Sequence, residues 1–380
     1  MAENKSFKRK KSINNGKIDI TFLAFVLILL TVGLVMLFSA SYAYSLEYYG
    51  SSYMFISRQA MFAGVGVAAM LIVSRIDYHF WRKFAWPFFA LITVLLVVLL
   101  ILPPMVDGMD VKRWFVIGPV NFQPSELAKL AIILLFSSLI AANYKMMKKF
   151  GFIAFLVAIL GLTCVLIVLE PHLSATLLVL SIGAVLLVVG GLPKKYMIIG
   201  LIALGVAAVV FYFSGAISYV FDRLEYWRDP WSDATGKGFQ TIQSLLAIGS
   251  GGVLGRGIGQ SRQKYLWVPE PHNDFIFSIV CEELGLIGAI IIILLFCLLV
   301  WRGFTIAMHS PDKFGSLMSV GLTFQVGLQA MLNIWVVTNT IPNTGISLPF
   351  FSYGGTSLVI LLAEMGIVLS VSRQTNIEKT

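Results

Sequence analysis

The sequence predicts an all-α polytopic membrane protein with ten transmembrane helices, and three observations carry that reading. The 380 residues are 58% hydrophobic and only 12% charged, with a mean hydropathy of +0.87. Soluble domains carry roughly 45–50% apolar and about 25% charged residues. Apolar windows of the ~20 residues needed to cross a ~30 Å hydrocarbon core recur along the chain. Basic residues, finally, alternate between these windows as a membrane topology requires. Half the usual charge excludes an ordinary cytosolic protein, a disordered chain and a secreted disulfide scaffold. Cys164, Cys281 and Cys297 fall inside apolar runs without metal-ligand spacing and read as packing residues.

The windows run over 19–41, 55–74, 84–102, 126–142, 151–169, 173–191, 197–215, 274–301, 315–337 and 350–371. The first ends in a cleavable-looking Ser39-Ala40-Ser41, but its apolar stretch exceeds the ~7–15 residues of a signal core, so it reads as a retained anchor. The fourth opens on Pro124-Ser125, a helix start signal with Ser125 as candidate N-cap and Glu126 suited to the helix dipole. The eighth opens at Asp274, after the loop-ending Pro269 and Pro271. At the start of the tenth, Pro342-Asn343-Thr344-Gly345 to Ser352-Tyr353-Gly354-Gly355 predicts irregular backbone, tolerated at membrane depth when it lines a cavity or packs in protein.

Charge orients the spans. With both termini inside, the inner side receives Lys5, Lys8, Arg9, Lys10, Lys11 and Lys17, then Arg75, Arg82 and Lys83. It also receives Lys145, Lys148 and Lys149, then Lys194 and Lys195, and finally Arg302, Lys313, Arg373 and Lys379. That is 18 of the 28 basic residues. The outer side keeps Lys112, Arg113, Arg223, Arg228, Lys237, Arg256, Arg262 and Lys264. The net charge of +9 therefore serves topology and anionic lipid, and nucleic acid is not expected as a partner. The predicted organisation is a basic tail (1–18), one membrane domain (19–372) and a short inner tail (373–380), with outer segments at 103–125 and 216–273. No internal repeat is evident, and no soluble part is long enough to fold alone. The chemistry is expected where the outer segments meet the spans.

Four groups of residues are candidates for that chemistry. Glu126 and Lys129 stand three apart in the fourth span, so they can pair on one helix face. They are either a packing ion pair or the polar lining of a cavity, and charges at that depth are costly and usually functional. Asp274 stands at the mouth of the eighth span beside Glu270, His272 and Asn273. As an N-cap it would need no further role, but an apolar border would raise its pKa toward the working range of a general base. Glu282 and Glu283 lie about 12–14 Å deeper along the helix and need partners. The segment 216–273 interleaves glycines with Arg223, Lys237, Arg256, Arg262 and Lys264, which suits close approach to phosphate oxygens. Its Gly236-Lys237-Gly238 lacks the strand and Ser/Thr of a P-loop, and its place at the membrane face favours a lipid diphosphate. His79 and His309 read as solvated. His172 reads as the cap of a short turn, and no role is assigned to Glu364.

Taken together, these residues resemble the SEDS family (shape, elongation, division and sporulation proteins: FtsW, RodA, SpoVE) from about residue 18 to 373. The resemblance rests on Arg58-Gln59, Arg113-Trp114, Phe122-Gln123-Pro124-Ser125-Glu126 with Lys129, and Gly238-Phe239-Gln240 with Gln243-Ser244. It rests also on Gly257-Ile258-Gly259-Gln260-Ser261 with Gln263-Lys264, Pro269-Glu270 to Glu283-Leu284-Gly285, and Leu348-Pro349-Phe350 to Gly354-Gly355. It implies a multi-pass glycosyltransferase of the bacterial cytoplasmic membrane that polymerises lipid II, an undecaprenyl-linked disaccharide, on the outer face. A class B penicillin-binding protein would supply the transpeptidase, alongside other divisome or elongasome membrane proteins. The family's essential Asp matches Asp274, and its required Trp matches Trp114. His172 and Ser174 depart from the usual Asp and Gly, and Trp335 and Asn339 from small residues. The Gln-Ser-Arg-Gln-Lys run, the Glu-Pro before His272 and the basic tail stand closer to FtsW and SpoVE than to RodA.

The expected reaction is an inverting transfer with Asp274 as base and a polyprenyl diphosphate leaving group. Arg58, Arg223, Arg262 and Lys264 are candidates to hold that group. Trp114, Glu126, Lys129, Gln243, Ser261, Glu270 and His272 complete the candidate substrate-binding set. A divalent cation, Mg or Mn, is a candidate helper, although the sequence shows no dedicated ligand cage, and no organic cofactor is expected. Two rivals are a lipid II flippase using Arg58 and Lys129 as stepping sites, and a non-catalytic scaffold for the transpeptidase. The clustering of polar motifs on one side argues against the first. The second predicts that Asp274→Asn costs only a helix cap.

Overall fold

Long apolar stretches bounded by proline, glycine and charge should fold into helices, and they do, with Pro87 accommodated inside the third. The computed structural model describes residues 16–103, 113–117, 120–214 and 218–375. Lys5, Lys8, Arg9, Lys10, Lys11, Lys112 and Lys379 lie outside the described residues. The helices are α1 (Ile20–Tyr49), α2 (Met54–Val73), α3 (His79–Ile101), α4 (Pro124–Ala142), α5 (Phe150–Leu169) and α6 (Leu173–Val189). They continue with α7 (Lys194–Ser214), α8 (Ser218–Arg228), α9 (Phe239–Gly251), α10 (Ile276–Met308), α11 (Lys313–Val337) and α12 (Gly355–Ser372). Each of the ten sequence windows coincides with one of α1–α7 or α10–α12. Among the described residues, eight helices are long and apolar enough to cross a membrane, and α6, apolar as well, is shorter at 17 residues.

Three features depart from the sequence reading. A short antiparallel hairpin, β1 (Phe115–Ile117) and β2 (Val120–Phe122), precedes α4, with Phe115 opposite Phe122. The segment 216–273 contains α8 and α9, too short and polar to register as membrane windows. And α12 starts at Gly355 rather than near 350, because residues 342–354 are laced by side chains rather than by a helical ladder. Gln59 of α2 donates to the Ser352 carbonyl at 3.2 Å, Gln329 to the Ser347 carbonyl at 3.1 Å, and Asn333 to the Ile346 carbonyl at 2.7 Å. Backbone polar groups at membrane depth are thus satisfied within the protein.

α4, α11 and α12 are mostly buried, whereas α2, α3 and α10 turn large apolar side chains such as Ile72, Leu91, Val94, Ile290 and Leu294 outward. That distribution suits helices bathed in lipid around a packed centre. α12 lies along α2 through small residues: a Cβ on Gly366 would stand 2.5 Å from the Met70 carbonyl oxygen, and one on Gly66 2.5 Å from Leu362. At the end of the bundle remote from Asp274, Asp19 caps α1 by accepting from the Phe22 N–H at 2.8 Å and pairs with Arg302 of α10 at 2.9 Å.

α10 is broken at Gly285, whose φ of 69° and ψ of −170° leave the helical region. The broken turn pairs, strand-like, with the stretch after α9. Arg256 and Gly257 donate backbone N–H groups to the Glu282 and Glu283 carbonyls at 3.0 and 2.9 Å, and Leu286 donates back to Gly252 at 3.0 Å. The two backbones come so close that a Cβ on Gly285 would lie 2.2 Å from the Gly255 nitrogen.

Candidate active site

Asp274 sits two residues before α10, in a turn that other elements hold from both sides. Asn333 of α11 donates to the Asp274 carbonyl at 2.7 Å. Ser352 Oγ donates to the Asn273 carbonyl at 2.8 Å, and the Tyr353 N–H to that of His272 at 2.8 Å. The position is therefore fixed through its backbone while its carboxylate is left to other uses. The N-cap of α10 is Phe275, without a side-chain cap bond, so Asp274 is not a helix cap. Its carboxylate accepts no hydrogen bond from any described residue. It is half-buried, and Oδ2 lies 3.3 Å from where a Cβ on Gly345 would stand, so that glycine (φ 70°) leaves room for it. Burial raises its pKa to about 6, with the Glu270 charge adding to the rise and the Arg223 and Arg113 guanidinium groups opposing it.

Those two arginines come from different elements. Arg223 on α8 donates to the Asn343 carbonyl at 2.6 Å. Arg113, ahead of β1, donates to the carbonyls of Glu170 (3.3 Å) and Pro171 in the α5–α6 turn. Beside Arg223 lies a cavity of about 500 Å³, walled by Arg223, Tyr226, Trp227, Lys237, Gln240 and Pro269 among others. That is room for a sugar-sized polar ligand. Arg113 near Asp274, Glu170 beside Arg113, and the α8 aromatics beside Arg223 escape sequence reasoning because they meet only through tertiary packing. Their sole sequence signal is the Arg-Trp dipeptide at 113–114.

Around the α5–α6 turn, burial dominates the titration. The Glu170 carboxylate has no hydrogen-bond partner among the described residues, and burial raises its pKa to about 8 against the Arg113 charge. Burial also lowers the His172 imidazole to about 3, and the Arg113 and Lys129 charges add to that. A neutral His172 ring then meets Gln123 Nε2 at 3.2 Å and Ser125 Oγ at 3.3 Å. This corrects one expectation, since Ser125 is not the N-cap of α4, a place taken by Gln123; His172 does stand at the N-cap of α6 after the short turn, without a side-chain cap bond.

The remaining predicted residues separate into groups. Lys129, 1% exposed, pairs with Glu126 at 2.9 Å and reaches Gln329 Oε1 at 3.3 Å. Glu270 is exposed and accepts from Asn273 at 2.9 Å. His272 is boxed by Tyr44, Phe55 and Tyr353 and lowered to about 4 by burial, so it serves as a neutral aromatic wall behind Asp274. Trp114 is half-buried beside the hairpin, and Gln243 is buried on α9.

Ser261 and Lys264 do not join the Asp274 group. Lys264, 2% exposed, donates to Glu283 at 3.1 Å, Ser39 Oγ at 3.0 Å and the Gly259 carbonyl at 2.7 Å. Ser261 Oγ bonds Glu282, which also accepts the Arg262 N–H at 2.9 Å. Lys264 is thus occupied inside the protein and not free to meet a phosphate. The Arg262 side chain remains exposed, and Arg58 is exposed on the outside of α2.

With that geometry in place, comparison with known proteins identifies the lineage. Residues 20–377 match the family model of FtsW, RodA and SpoVE, described as cell cycle protein. The chain belongs to this family. It is 40% identical to stage V sporulation protein E of Bacillus subtilis (strain 168), over 93% of this chain and 97% of that protein. It is 37% identical to a probable peptidoglycan glycosyltransferase FtsW of Geobacter sp. (strain M18), over 93% and 96%. In structure it resembles a chain of a peptidoglycan synthase complex solved for the coordination of polymerization and crosslinking (TM-score 0.77, 29% identity, 94% and 98% covered). It also resembles the rod shape determining protein RodA of Thermus thermophilus (TM-score 0.70, 27% identity, 95% and 98% covered). The multi-pass membrane architecture is shared with this family.

Proposed function

We propose that the protein is a peptidoglycan glycosyltransferase that polymerises lipid II, with Asp274 as general base. The observation that carries this is a carboxylate fixed by its backbone, its oxygens unbonded among the described residues, raised to about 6 and within the field of two arginines, one of which, Arg223, also walls a sugar-sized cavity. The family membership and the names of the relatives support the same activity. Asp274 would take the proton from the acceptor sugar hydroxyl as that oxygen attacks the anomeric carbon of the donor. The C–O bond to the diphosphate breaks on the opposite face, and its electron pair leaves with the polyprenyl diphosphate. Negative charge develops on that group, where Arg113 and Arg223, already held by backbone carbonyls, stabilise it without reorganisation. A base with a pKa near 6 is ionised at neutral pH and still basic enough to be useful.

In this reading the Asp274 end of the bundle faces the outside and both termini the inside of the bacterial cytoplasmic membrane, as the distribution of basic residues requires. A class B penicillin-binding protein is the proposed partner. Among the described residues no three His, Cys, Asp or Glu side chains form a metal cage. Exposed Glu270 fits Mg or Mn only in the manner of a cation held mainly by substrate diphosphate, which needs one or two carboxylates; the cation would neutralise that diphosphate. The test is labelled lipid II incubated in detergent with the purified protein and its candidate transpeptidase, wild type beside Asp274→Ala. Detergent abolishes the leaflets, so flipping cannot contribute. A glycan ladder that vanishes in the variant supports the transferase; no ladder from wild type with partner and divalent cation present overturns it.

A further inference from the structure

Below the site, a second polar group lies in the middle of the bundle and takes no part in the reaction above. Glu364 stands nine residues past the start of α12, about 14 Å along its axis and so near the centre of a ~30 Å hydrocarbon core. It is 0% exposed. Its Oε2 accepts from Gln325 Nε2 of α11 at 2.9 Å, while its Oε1 meets no donor. Gln325 is buried too, and its own Oε1 is equally unpartnered. One turn nearer the site, Gln329 accepts from Lys129, which is paired with Glu126. These side chains and Ser347 line one pocket of about 30 Å³, room for about two water molecules.

The charges of this pocket do not balance. From α4 it is faced by Glu126 and Lys129, from α11 by the amides Gln325 and Gln329, and from the 347–354 segment by Ser347 and Ser352. α2, on the other side of α12, approaches with Gly66 and Met70. Lys129 is the one cation facing two carboxylates and is hydrogen-bonded to Glu126, so the pocket is left with one uncompensated negative charge. A lone carboxylate with one hydrogen bond at that depth is expensive. Two buried oxygen acceptors without donors, in a pocket lacking one positive charge, describe the complement of a small cation with hard oxygen ligands. We propose that this pocket binds a single monovalent cation, a proton or sodium, between Glu364 Oε1 and Gln325 Oε1. The same pocket wall includes Ser352 and Tyr353, which hold the backbone of Asn273 and His272 beside Asp274. Occupancy of the cation site therefore bears on the placement of the base.

The experiment uses the full-length protein in detergent. Thermal unfolding is followed at fixed ionic strength as sodium replaces N-methylglucamine, and infrared spectra are recorded in H₂O and D₂O at neutral pH. If sodium is bound, Tm rises with the logarithm of its concentration, and the rise is absent in Glu364→Gln. If a proton is bound, Tm ignores sodium, and Glu364→Gln removes one deuterium-sensitive component of the protonated-carboxyl band while leaving the rest. Gln325→Met keeps the length of the side chain but removes its amide, both Oε1 and the Nε2–H donor to Glu364, and leaves the carboxyl in place; it weakens the sodium response or shifts that band component, and so gives the reading if Glu364→Gln does not fold. A Tm indifferent to sodium, together with superimposable carboxyl bands in wild type and variants, overturns the proposal.

Discussion

Asp274 and the Glu282–Glu283 pair lie within nine residues of one another at the head of α10, yet their surroundings are opposite. The two glutamates are fully buried and fully answered: by Ser39, Lys264 and the Ser261 N–H for Glu283, and by Ser261, the Arg262 N–H and Arg256 for Glu282. They fasten the 252–264 segment and α1 to the break in α10. Asp274 is less buried, and its carboxylate accepts no hydrogen bond from any described residue. The difference teaches that burial alone does not make an acid reactive. An acid whose lone pairs are occupied is an anchor, while one held by its backbone with its oxygens unoccupied can take a proton.

The sharpest way to break this contrast is to neutralise each side in turn. Asp274→Asn should reduce polymerisation by about 10²–10⁴-fold, the usual contribution of a general base. Thermal unfolding should move the other way. A carboxyl raised above its unfolded pKa of 3.8 to about 6 binds its proton better in the folded state, so its ionisation costs stability as pH rises through that window. Asparagine removes that cost, and Tm at pH 7 should hold or rise. A fall in Tm in step with activity would make Asp274 a structural residue after all.

Glu283→Ala should do the reverse. It leaves the Lys264 ammonium buried and unpaired, at about 3–5 kcal/mol, and should lower the folded yield and Tm sharply. The double variant Glu283→Gln with Lys264→Met removes both charges, and its Tm should recover most of that loss. If Lys264 held the substrate instead, the double variant would stay inactive despite refolding; polymerisation by the recovered protein is the measurement.

Much of the fold was legible in the chain, for a physical reason. A span of ~20 apolar residues and a run of lysines are local facts, and they located α1–α7 and α10–α12. Asp274 was legible as well, since an acid that follows two prolines and opens an apolar helix must stand at the mouth of the bundle. What stayed hidden depends on partners distant in sequence. Lys264 looked like a phosphate ligand because Glu283 and Ser39, which occupy it, lie 19 and 225 residues away. Arg113 gave only a dipeptide. The break in α10 left no trace beyond Gly285, since a glycine in an apolar helix is ordinarily tolerated.

That glycine offers a smaller test of the anchor. Gly285→Ala places a Cβ 2.2 Å from the Gly255 nitrogen, on a backbone with φ of 69°. Strain of this kind costs of order 1–3 kcal/mol. The ladder between 252–257 and the broken turn should open first, seen as faster amide exchange at Arg256, Gly257 and Leu286, with helices far from it unaffected. Unchanged protection at those amides would mean that the pairing is not what holds the segment.

The smallest effect is the most discriminating for the reactive acid. At Asp274, Glu270 raises the pKa, whereas Arg223 lowers it. The acid limb of kcat/KM should fall as pH drops through about 6 in the wild type, because the base must be ionised. Glu270→Gln removes a repelling charge, and the limb should move to lower pH. Arg223→Ala removes an attracting one, and the limb should move to higher pH, with a loss of rate on its plateau if the guanidinium also holds the diphosphate. Arg223 is exposed, so solvent screening should keep its shift to a fraction of a pH unit. A merely structural Asp274 would allow either variant to change the overall rate, but it gives no reason for the two limbs to move in opposite directions.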